Sequence, residues 1–419
     1  MRRNVILGKS MAAIIVRGLR ALGVGLLFLT VALCVAIIVV PPFLDRIYYV
    51  GPDSSHYDGE RFFNPDGEDT RRPPTGGSRG NFIIRYLLGN DGRPAWPRHV
   101  AVKQGFGAAA ATPCPAMRRG VTENWKRCVD KVDPNRMFAT WIGHATVLIQ
   151  TQGLNILTDP IYGETAGPFG VGPRRVTVPG IAFDDLPKID VVLVSHNHYD
   201  HMDLGTLRRL WDRDKPLIVT SLGNDTVIKG AGIPSVALEW GGRVTVKPGV
   251  DVIVTRNHHW GSRWFSDRNR ALWSSFVVTL PGGNVMFSGD TGFDNGQWPV
   301  EAAAYGPVRL ALIPIGAFRF VPGQMGVGSH IGPIDAAEVF VRSKAARAIG
   351  IHWGTFRLSF EAYDTPPKLL DAVMKCRGLS GFDTVAIGRS NEIATFTPPA
   401  PGKPLDPACI DTPAVRALK

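Results

Sequence analysis

The sequence predicts a layered α/β domain behind an N-terminal membrane-spanning helix, and three observations predict it. Residues 21–40, "ALGVGLLFLTVALCVAIIVV", carry no charge. From about residue 136, short β-branched apolar runs are separated by Gly, Pro, Asn and Asp, the pattern of strands and turns. Helical patterns stand between some of those runs. Strands buried on both sides and mixed with helices make a layered α/β domain. A chain of 419 residues, 44% hydrophobic and 20% charged, is globular in composition and can bury a substantial core.

The N-terminal element comes first. Twenty apolar residues in a helix rise about 30 Å, the thickness of a bilayer's hydrocarbon core. Residues 1–20 carry Arg2, Arg3, Lys9, Arg17 and Arg20 and no acid. A basic flank stays cytoplasmic. Residues 21–40 then read as a single-pass transmembrane anchor, with the C-terminal bulk of the chain extracytoplasmic, in the periplasm or on the outer face. A cleaved signal peptide predicts a shorter apolar region and a small-residue cleavage site. Here "PPFLDR" follows, and Leu33 stands before Cys34, where a lipoprotein signal has a small residue. Removing the five flank charges from the net +11 leaves +6. That suits a domain above anionic lipid, at about 1 kcal/mol per well-placed Lys or Arg. No dense basic run with interleaved aromatics occurs, which argues against a nucleic-acid partner.

Residues 41–135 read as a linker and N-terminal extension, with "NPDGEDTRRPPTGGSRGN" a loop by composition. Residues 136–400 read as the catalytic domain. Its expected strands are "FATWIGHATVLIQ", "LNILTDP", "DVVLVSH", "KPLIVTS", "VDVIVT", "SSFVVTL", "NVMFSGD", "VRLALIPIG" and "ARAIGIHWG". Its expected helices are "DLGTLRRLWDR", "PIDAAEVFVRSKAA" and "PPKLLDAVMKC". Residues 401–419 read as a Pro-rich tail lying over the surface. Outside the anchor, Cys114, Cys128, Cys376 and Cys409 are even in number, and proximity suggests the pairs 114–128 and 376–409.

The chemistry concentrates in "HNHYDHMD", residues 196–203, which holds three of the chain's ten histidines. A buried strand precedes it and a helix follows, so it lies at a strand's C-terminal end, where α/β folds hold ligands. His196 and His198 alternate with Asn197 and point the same way in extended backbone. Asp200 and His201 follow the turn and can serve a neighbouring site. Imidazole and carboxylate together suit zinc or iron. Asp203 is placed to start the following helix. Further strand ends offer His258 and His259 ("VIVTRNHHW"), Asp290 ("VMFSGDTGF") and His352 ("AIGIHWGTF"). Four strand ends delivering N or O ligands converge on a two-metal site.

This combination resembles the metallo-β-lactamase superfamily. "TWIGHATVLIQ", "ILTDPIYG", "LPKIDVVLVSHNHYDHMD", "FSGDTG", "LALIPIGA" and "IHWGTF" look like its N-acylphosphatidylethanolamine-hydrolysing phospholipase D branch, in the right order over residues 138–390. The resemblance implies a four-layer αββα fold and two divalent metal ions, most simply Zn2+. His196, His198 and His259 would hold one metal. Asp200, His201 and His352 would hold the other, and Asp290 would bridge them. His330, in "MGVGSHIGPID", matches an active-site histidine near the substrate phosphate. Asp159, in "LTDP", matches a position that hydrogen-bonds a ligating histidine. His144 is expected to be a buried structural histidine on the first strand.

Two such metals lower the pKa of a shared water and draw electron density from a phosphodiester. The implied reaction is hydrolysis of N-acylphosphatidylethanolamine to N-acylethanolamine and phosphatidic acid by a metal-bridging hydroxide. The implied partners are a phospholipid substrate, the membrane and, by resemblance, a second copy of the chain. The alternative is a hydrolase of the same fold acting on a lactone or a soluble phosphodiester. A lipid groove would draw on Trp260, Trp264, Phe265 and Trp273, with Arg263, Arg268 and Arg270 facing phosphate or water.

Overall fold

Alternation along the strands sorts the apolar side chains into an inner and two outer layers. In β1 (Met137–Gly143), Met137, Ala139 and Trp141 face one core cluster while Ile142 belongs to another. In β2 (Thr146–Thr151), Val147 and Ile149 face inward and Leu148 outward. The computed structural model describes residues 2–44, 46–67, 92–108, 132–264, 266–320 and 328–418. The side chains of residues 2–14 and 38–44 are not described.

The chain divides into two units, Met1–Ile47 with Trp264–Asp267, and the remainder. The first is built on helix α1 (Arg2–Leu44), 43 residues long. Its stretch Ile15–Ile37 is long and apolar enough to cross a membrane and is a candidate span. Within it the Thr30 hydroxyl donates to Leu26 O at 2.8 Å, which satisfies the polar group inside the helix.

The second unit is a sandwich of two seven-stranded sheets. The first sheet adds β3 (Leu154–Thr158), β4 (Val191–Val194), β5 (Leu217–Ser221), β6 (Val236–Leu238) and β14 (Ser390–Glu392), in the order β14-β1-β2-β3-β4-β5-β6. The second holds β7 (Arg243–Lys247), β8 (Val250–Thr255), β9 (Ser275–Thr279), β10 (Asn284–Phe287), β11 (Val308–Pro314), β12 (Arg347–Ile351) and β13 (Phe382–Asp383), in the order β13-β12-β11-β10-β9-β8-β7. Pairing is antiparallel from β1 to β3 and from β7 to β10. It is parallel from β3 to β6 and from β10 to β13. Parallel neighbours need crossovers; α-helices lie in each except the β3–β4 connection, which holds only two three-residue 3-10 turns. Helix α2 (Leu204–Asp214) joins β4 to β5 and buries Leu207 and Leu210 under the first sheet. Helices α5 (Pro333–Arg342) and α6 (Thr365–Arg377) follow β11 and β12 and bury Phe340 and Leu369 under the second. Between the sheets, Trp141 and Val147 meet Phe276 and Phe287. The result is the four-layer αββα arrangement. Each such buried aromatic or aliphatic side chain contributes roughly 1.5–3 kcal/mol.

The structure departs from the sequence reading in places. "FATWIGHATVLIQ" is two strands, reversed at Gly143 (φ 134) and His144 (φ 51). A mostly apolar run interrupted only briefly at Gly143 and His144, with no Asn-Gly pair, hides that turn. Strands β6, β7, β13 and β14 are short or partly polar edge elements with little periodic signal. So are two helices of one or two turns, α3 (Asn224–Gly230) and α4 (Trp298–Ala303).

The tail forms α7 (Pro407–Ile410) and α8 (Pro413–Arg416), and Leu405, Ile410, Val415 and Leu418 pack against the outer core of the second sheet. Cys376 and Cys409 form a disulfide with a Cα–Cα distance of 5.8 Å, tying α6 to the tail. The expected pair 114–128 lies outside the described residues. The bond closes a loop of sequence separation 33. Chain-entropy reasoning gives a loop of that length about 3–4 kcal/mol. The variant Cys409→Ser is expected to melt roughly 5–10 °C lower than wild type by calorimetry under non-reducing conditions, and an unchanged melting temperature would refute that contribution.

Candidate metal centre

Strands β3, β4, β8, β10 and β12 deliver Asp159, the loop His196–His201, His259, Asp290 and His352 just beyond their C-terminal ends. The β1–β2 turn adds His144 at the same rim. The loop after β4 turns on itself, with His198 O accepting from His201 N (3.2 Å) and Met202 N (2.8 Å). Asp203 caps α2, accepting from Gly205 N and Thr206 N. Its Oδ2 also accepts from Gly163 N at 3.0 Å, so the capping residue fixes a second loop.

Two groups of donors result. His196, His198 and His259 form the first. His196 Nε2 lies 2.7 Å from His198 Nδ1, and His259 Nε2 lies 3.3 Å from the same atom. Asp200, His201 and His352, with His144, form the second. The Nε2 atoms of His201 and His352 are 3.2 Å apart. Asp200 Oδ2 lies 3.6 Å from the first and 3.7 Å from the second. Asp290 stands between the groups, with Oδ2 at 3.2 Å from His201 Nε2 and 4.0 Å from His259 Nε2. Its Oδ1 is 3.0 Å from His352 Nε2.

These residues fit metal ions. Metal–nitrogen bonds of 2.0–2.1 Å in a tetrahedron put neighbouring ligand atoms about 3.3 Å apart, the spacing seen in both groups. Asp290 is buried with both carboxylate oxygens turned toward imidazole nitrogens of the two groups, a donor set that suits cations. His198 turns Nδ1 toward its group and leaves Nε2 buried without a partner, whereas the remote ring nitrogens of the other four histidines are engaged. His201 Nδ1 meets Asp159 Oδ2 at 2.7 Å. His196 Nδ1 meets Ser195 Oγ at 2.9 Å, and that hydroxyl donates to Asp159 Oδ2 at 2.6 Å. His259 Nδ1 donates to Ser329 O at 2.8 Å and His352 Nδ1 to Gly316 O at 3.2 Å. Such bonds place the N–H on Nδ1 and turn the Nε2 lone pair toward the centre.

Electrostatics separates the groups. Burial holds His198 and His259 at a pKa of about 3 and His196 well below its ordinary value, so the first group is neutral. Burial also opposes charge on His352, but Asp290 and Asp200 outweigh it and raise the pKa to about 9. His201 is raised well above its ordinary value in the same way. The two carboxyls are held well below theirs, since the charges of His201 and its neighbours outweigh burial. Without metal, the second group stores protons against its carboxylates.

His330 also reaches the site, its Nδ1 3.7 Å from Asp290 Oδ2 and its side chain 13% exposed. The segment that supplies Ser329 O to His259 therefore also places His330. Asp159 is buried and touches His201. His258 turns away, its Nδ1 3.6 Å from Asp294 Oδ2. His144 is buried as expected, but it belongs to the turn and its Nε2 meets Asp200 Oδ2 at 3.1 Å. Its proximity to a metal group had no spacing signal in the sequence.

The arginine-rich stretch divides. Arg263 braces the histidine loop, donating to Met202 O at 2.8 Å and lying 4.0 Å over the Tyr199 ring. Arg270 pairs with Glu60 at 2.8 Å. Arg268 lies 4.2 Å over Trp260, whose ring packs edge-on against His198. Trp273 is core, with Tyr57 and Phe62. Trp264 belongs to the N-terminal unit, and Phe265 lies outside the described residues.

Residues 154–353 match the Beta-lactamase superfamily domain. The chain is 35% identical over 268 residues to N-acyl-phosphatidylethanolamine-hydrolyzing phospholipase D 1 of Caenorhabditis elegans, covering 60% of this chain and 74% of that one. It is 32% identical over 248 residues to the mitochondrial N-acyl-phosphatidylethanolamine-hydrolyzing phospholipase D of Saccharomyces cerevisiae, covering 58% and 53%. A metal-dependent hydrolase of Pyrobaculum neutrophilum is 27% identical over 221 residues, covering 52% and 84%.

Two predictions come from this geometry. Asp159→Asn keeps the shape but weakens the acceptor for His201, and metal affinity should fall about 10–100-fold in chelator competition; unchanged affinity would dismiss Asp159 as a support. Because the pKa of His352 is raised to about 9 and that of His201 is also raised, protons occupy both imidazoles at neutral pH and compete with metal. Affinity should therefore climb as pH rises toward 9, with protons released on binding. Calorimetry in buffers of different ionisation enthalpy reads that release, and none at pH 7 would contradict the assignment.

Proposed function

Because the chain belongs to the metallo-β-lactamase superfamily, in the branch related to N-acylphosphatidylethanolamine-hydrolysing phospholipase D, we propose that this metal-dependent hydrolase cleaves N-acylphosphatidylethanolamine at the membrane. The products are N-acylethanolamine and phosphatidic acid. The observation that carries the reading is the pair of donor groups joined by Asp290, in a chain similar to phospholipases with that printed activity.

His196, His198 and His259 would hold one ion, and Asp200, His201 and His352 the other, with Asp290 shared. Zinc suits an imidazole-rich set of this spacing. Two bound cations supply Lewis acidity toward the phosphoryl group and a nucleophile at neutral pH. The protein's own side chains do the rest. Asp159 and the Ser329 and Gly316 carbonyls hold the imidazoles in one tautomer. His330 is partly exposed beside Asp290, with its pKa lowered by burial to about 3, so it meets the substrate as a neutral imidazole. It donates one hydrogen bond to a phosphoryl oxygen and orients it. Arg268, on the face of Trp260, places positive charge beside the first group.

The candidate span supports a membrane-anchored enzyme. A long-chain phospholipid barely exists free in water, so tethering raises the effective concentration of enzyme at its substrate. The basic flank supports a cytoplasmic N-terminus.

Hydrolysis of N-acylphosphatidylethanolamine in mixed micelles, on protein of measured metal content, tests the proposal. Wild type should release both products, and Asp290→Asn should lose about a thousandfold or more in kcat. His330→Ala should lose roughly a hundredfold in kcat/KM. Two bound metals with no turnover of this lipid would keep the fold and discard the substrate, and lactones and soluble phosphodiesters would then be assayed.

A further inference from the structure

At one side of the sandwich, residues 100–106 and the loop 385–390 enclose a cavity of about 790 Å³. It shares no lining residue with the metal-donor groups. Its volume falls in the range of small-molecule sites, roughly 300–1,000 Å³. Phe106, 42% exposed, and the partly buried Trp353 contribute aromatic surface. Val102, Val385 and Ile387 add aliphatic wall.

The same cavity carries Lys103 and Arg389, both exposed. None of the described lining residues is acidic. Neither cation has an ion pair or side-chain hydrogen bond among the described residues. Glycine packing fixes them as neighbours. Gly388 has φ 85, and a Cβ there would lie 2.5 Å from Lys103 O and 2.7 Å from Gly180 O. Gly105 N also donates to Gly180 O at 2.8 Å. The two segments therefore touch backbone to backbone, with Lys103 and Arg389 beside the contact.

We propose that this cavity binds a single-chain anionic amphiphile, its alkyl chain against Phe106 and Trp353 and its anionic head at Lys103 and Arg389. An uncharged chain would leave both cations unmatched, and a small anion would leave the aromatic wall wet. A fatty carboxylate and an alkyl phosphate share the required chemistry. The site is separate from the proposed reaction, so it stands or falls independently of the substrate.

The test is photolabelling of the full chain in phosphatidylcholine nanodiscs. The probes are diazirine-tagged palmitate, hexadecyl phosphate and, as the uncharged control, hexadecanol. Peptide mapping should place adducts of at least one anionic probe in 100–106 and 385–390, and the stronger anion identifies the head group. Ala386→Trp, at an exposed lining position, should cut that labelling roughly tenfold. The paired Lys103→Glu and Arg389→Glu variant should cut labelling by the anions roughly tenfold while leaving that by the alcohol within about twofold. Circular dichroism checks that each variant is folded. Equal labelling by acid, phosphate and alcohol, or labelling indifferent to the charge reversal, overturns the proposal, and the exposed charge-reversal pair decides it even if Ala386→Trp misfolds.

Discussion

One buried carboxylate organises the rim of the first sheet. Asp159 accepts from Ser195 N at 2.7 Å, from Ser195 Oγ at 2.6 Å and meets His201 Nδ1 at 2.7 Å. Its own backbone N donates to Leu193 O at 2.8 Å. The end of β3 is thus fastened to the end of β4 and to both ends of the six-residue run that supplies four donors. Burial pushes its pKa up, and the bonds from His201 and Ser195 oppose that shift. Removing the carboxylate would strand a buried N–H, a hydroxyl and an imidazole, each costing about 1–3 kcal/mol when unsatisfied. The backbone is also bent to make this join. Asp159 has φ 31, and His144 and His352, which pack around the second donor group, have φ 51 and 64. Left-handed backbone at three non-glycine positions of one site is local strain held by the surrounding fold.

Much of this was legible in the sequence because strand ends and ligands are written in short order. "DVVLVS" followed by "HNHYDH" gives a strand, its polarity and four donors without any tertiary knowledge. Asp290 and His352 follow equally apolar runs. The choice of His259 over its neighbour came from resemblance, and the structure shows the physical reason: consecutive side chains diverge, sending His258 toward Asp294. What the sequence hid depends on contacts between distant segments. Ser329 O and Gly316 O orient two imidazoles through backbone atoms, which carry no side-chain signature. His144 reached the centre through a turn inside an apolar run. The arginines of 263–270 looked alike, yet Arg263 braces a loop, Arg270 pairs with Glu60 and Arg268 stacks on an indole.

The two donor groups differ in charge because they differ in composition. The first is all imidazole, and burial keeps it neutral. The second contains Asp200 and has the closer contacts with Asp290, so its imidazoles hold protons when no cation is present. A cation entering the first would displace no proton, whereas one entering the second would have to. Were both groups to hold cations, their loading would separate as pH falls, with the second weakening first.

Each donor group also draws on both sheets. The first takes His196 and His198 from the rim of the first sheet and His259 from the second. The second takes Asp200 and His201 from the first sheet and His352 from the second. Neither sheet alone holds a complete set, so the distance between sheets sets the distance between ligands. That distance is fixed by the inner core, where Trp141, Val147 and Ile149 meet Val254, Phe276 and Phe287. Interiors pack at crystal-like density and transmit changes of volume. A large-to-small substitution such as Phe287→Ala removes roughly 3–5 kcal/mol of stability and relaxes the spacing at the rim just beyond it. Core packing and the geometry of the candidate site are thus one property of this fold: the side chains that exclude water between the sheets are also the gauge that brings six candidate donors and Asp290 together at one rim.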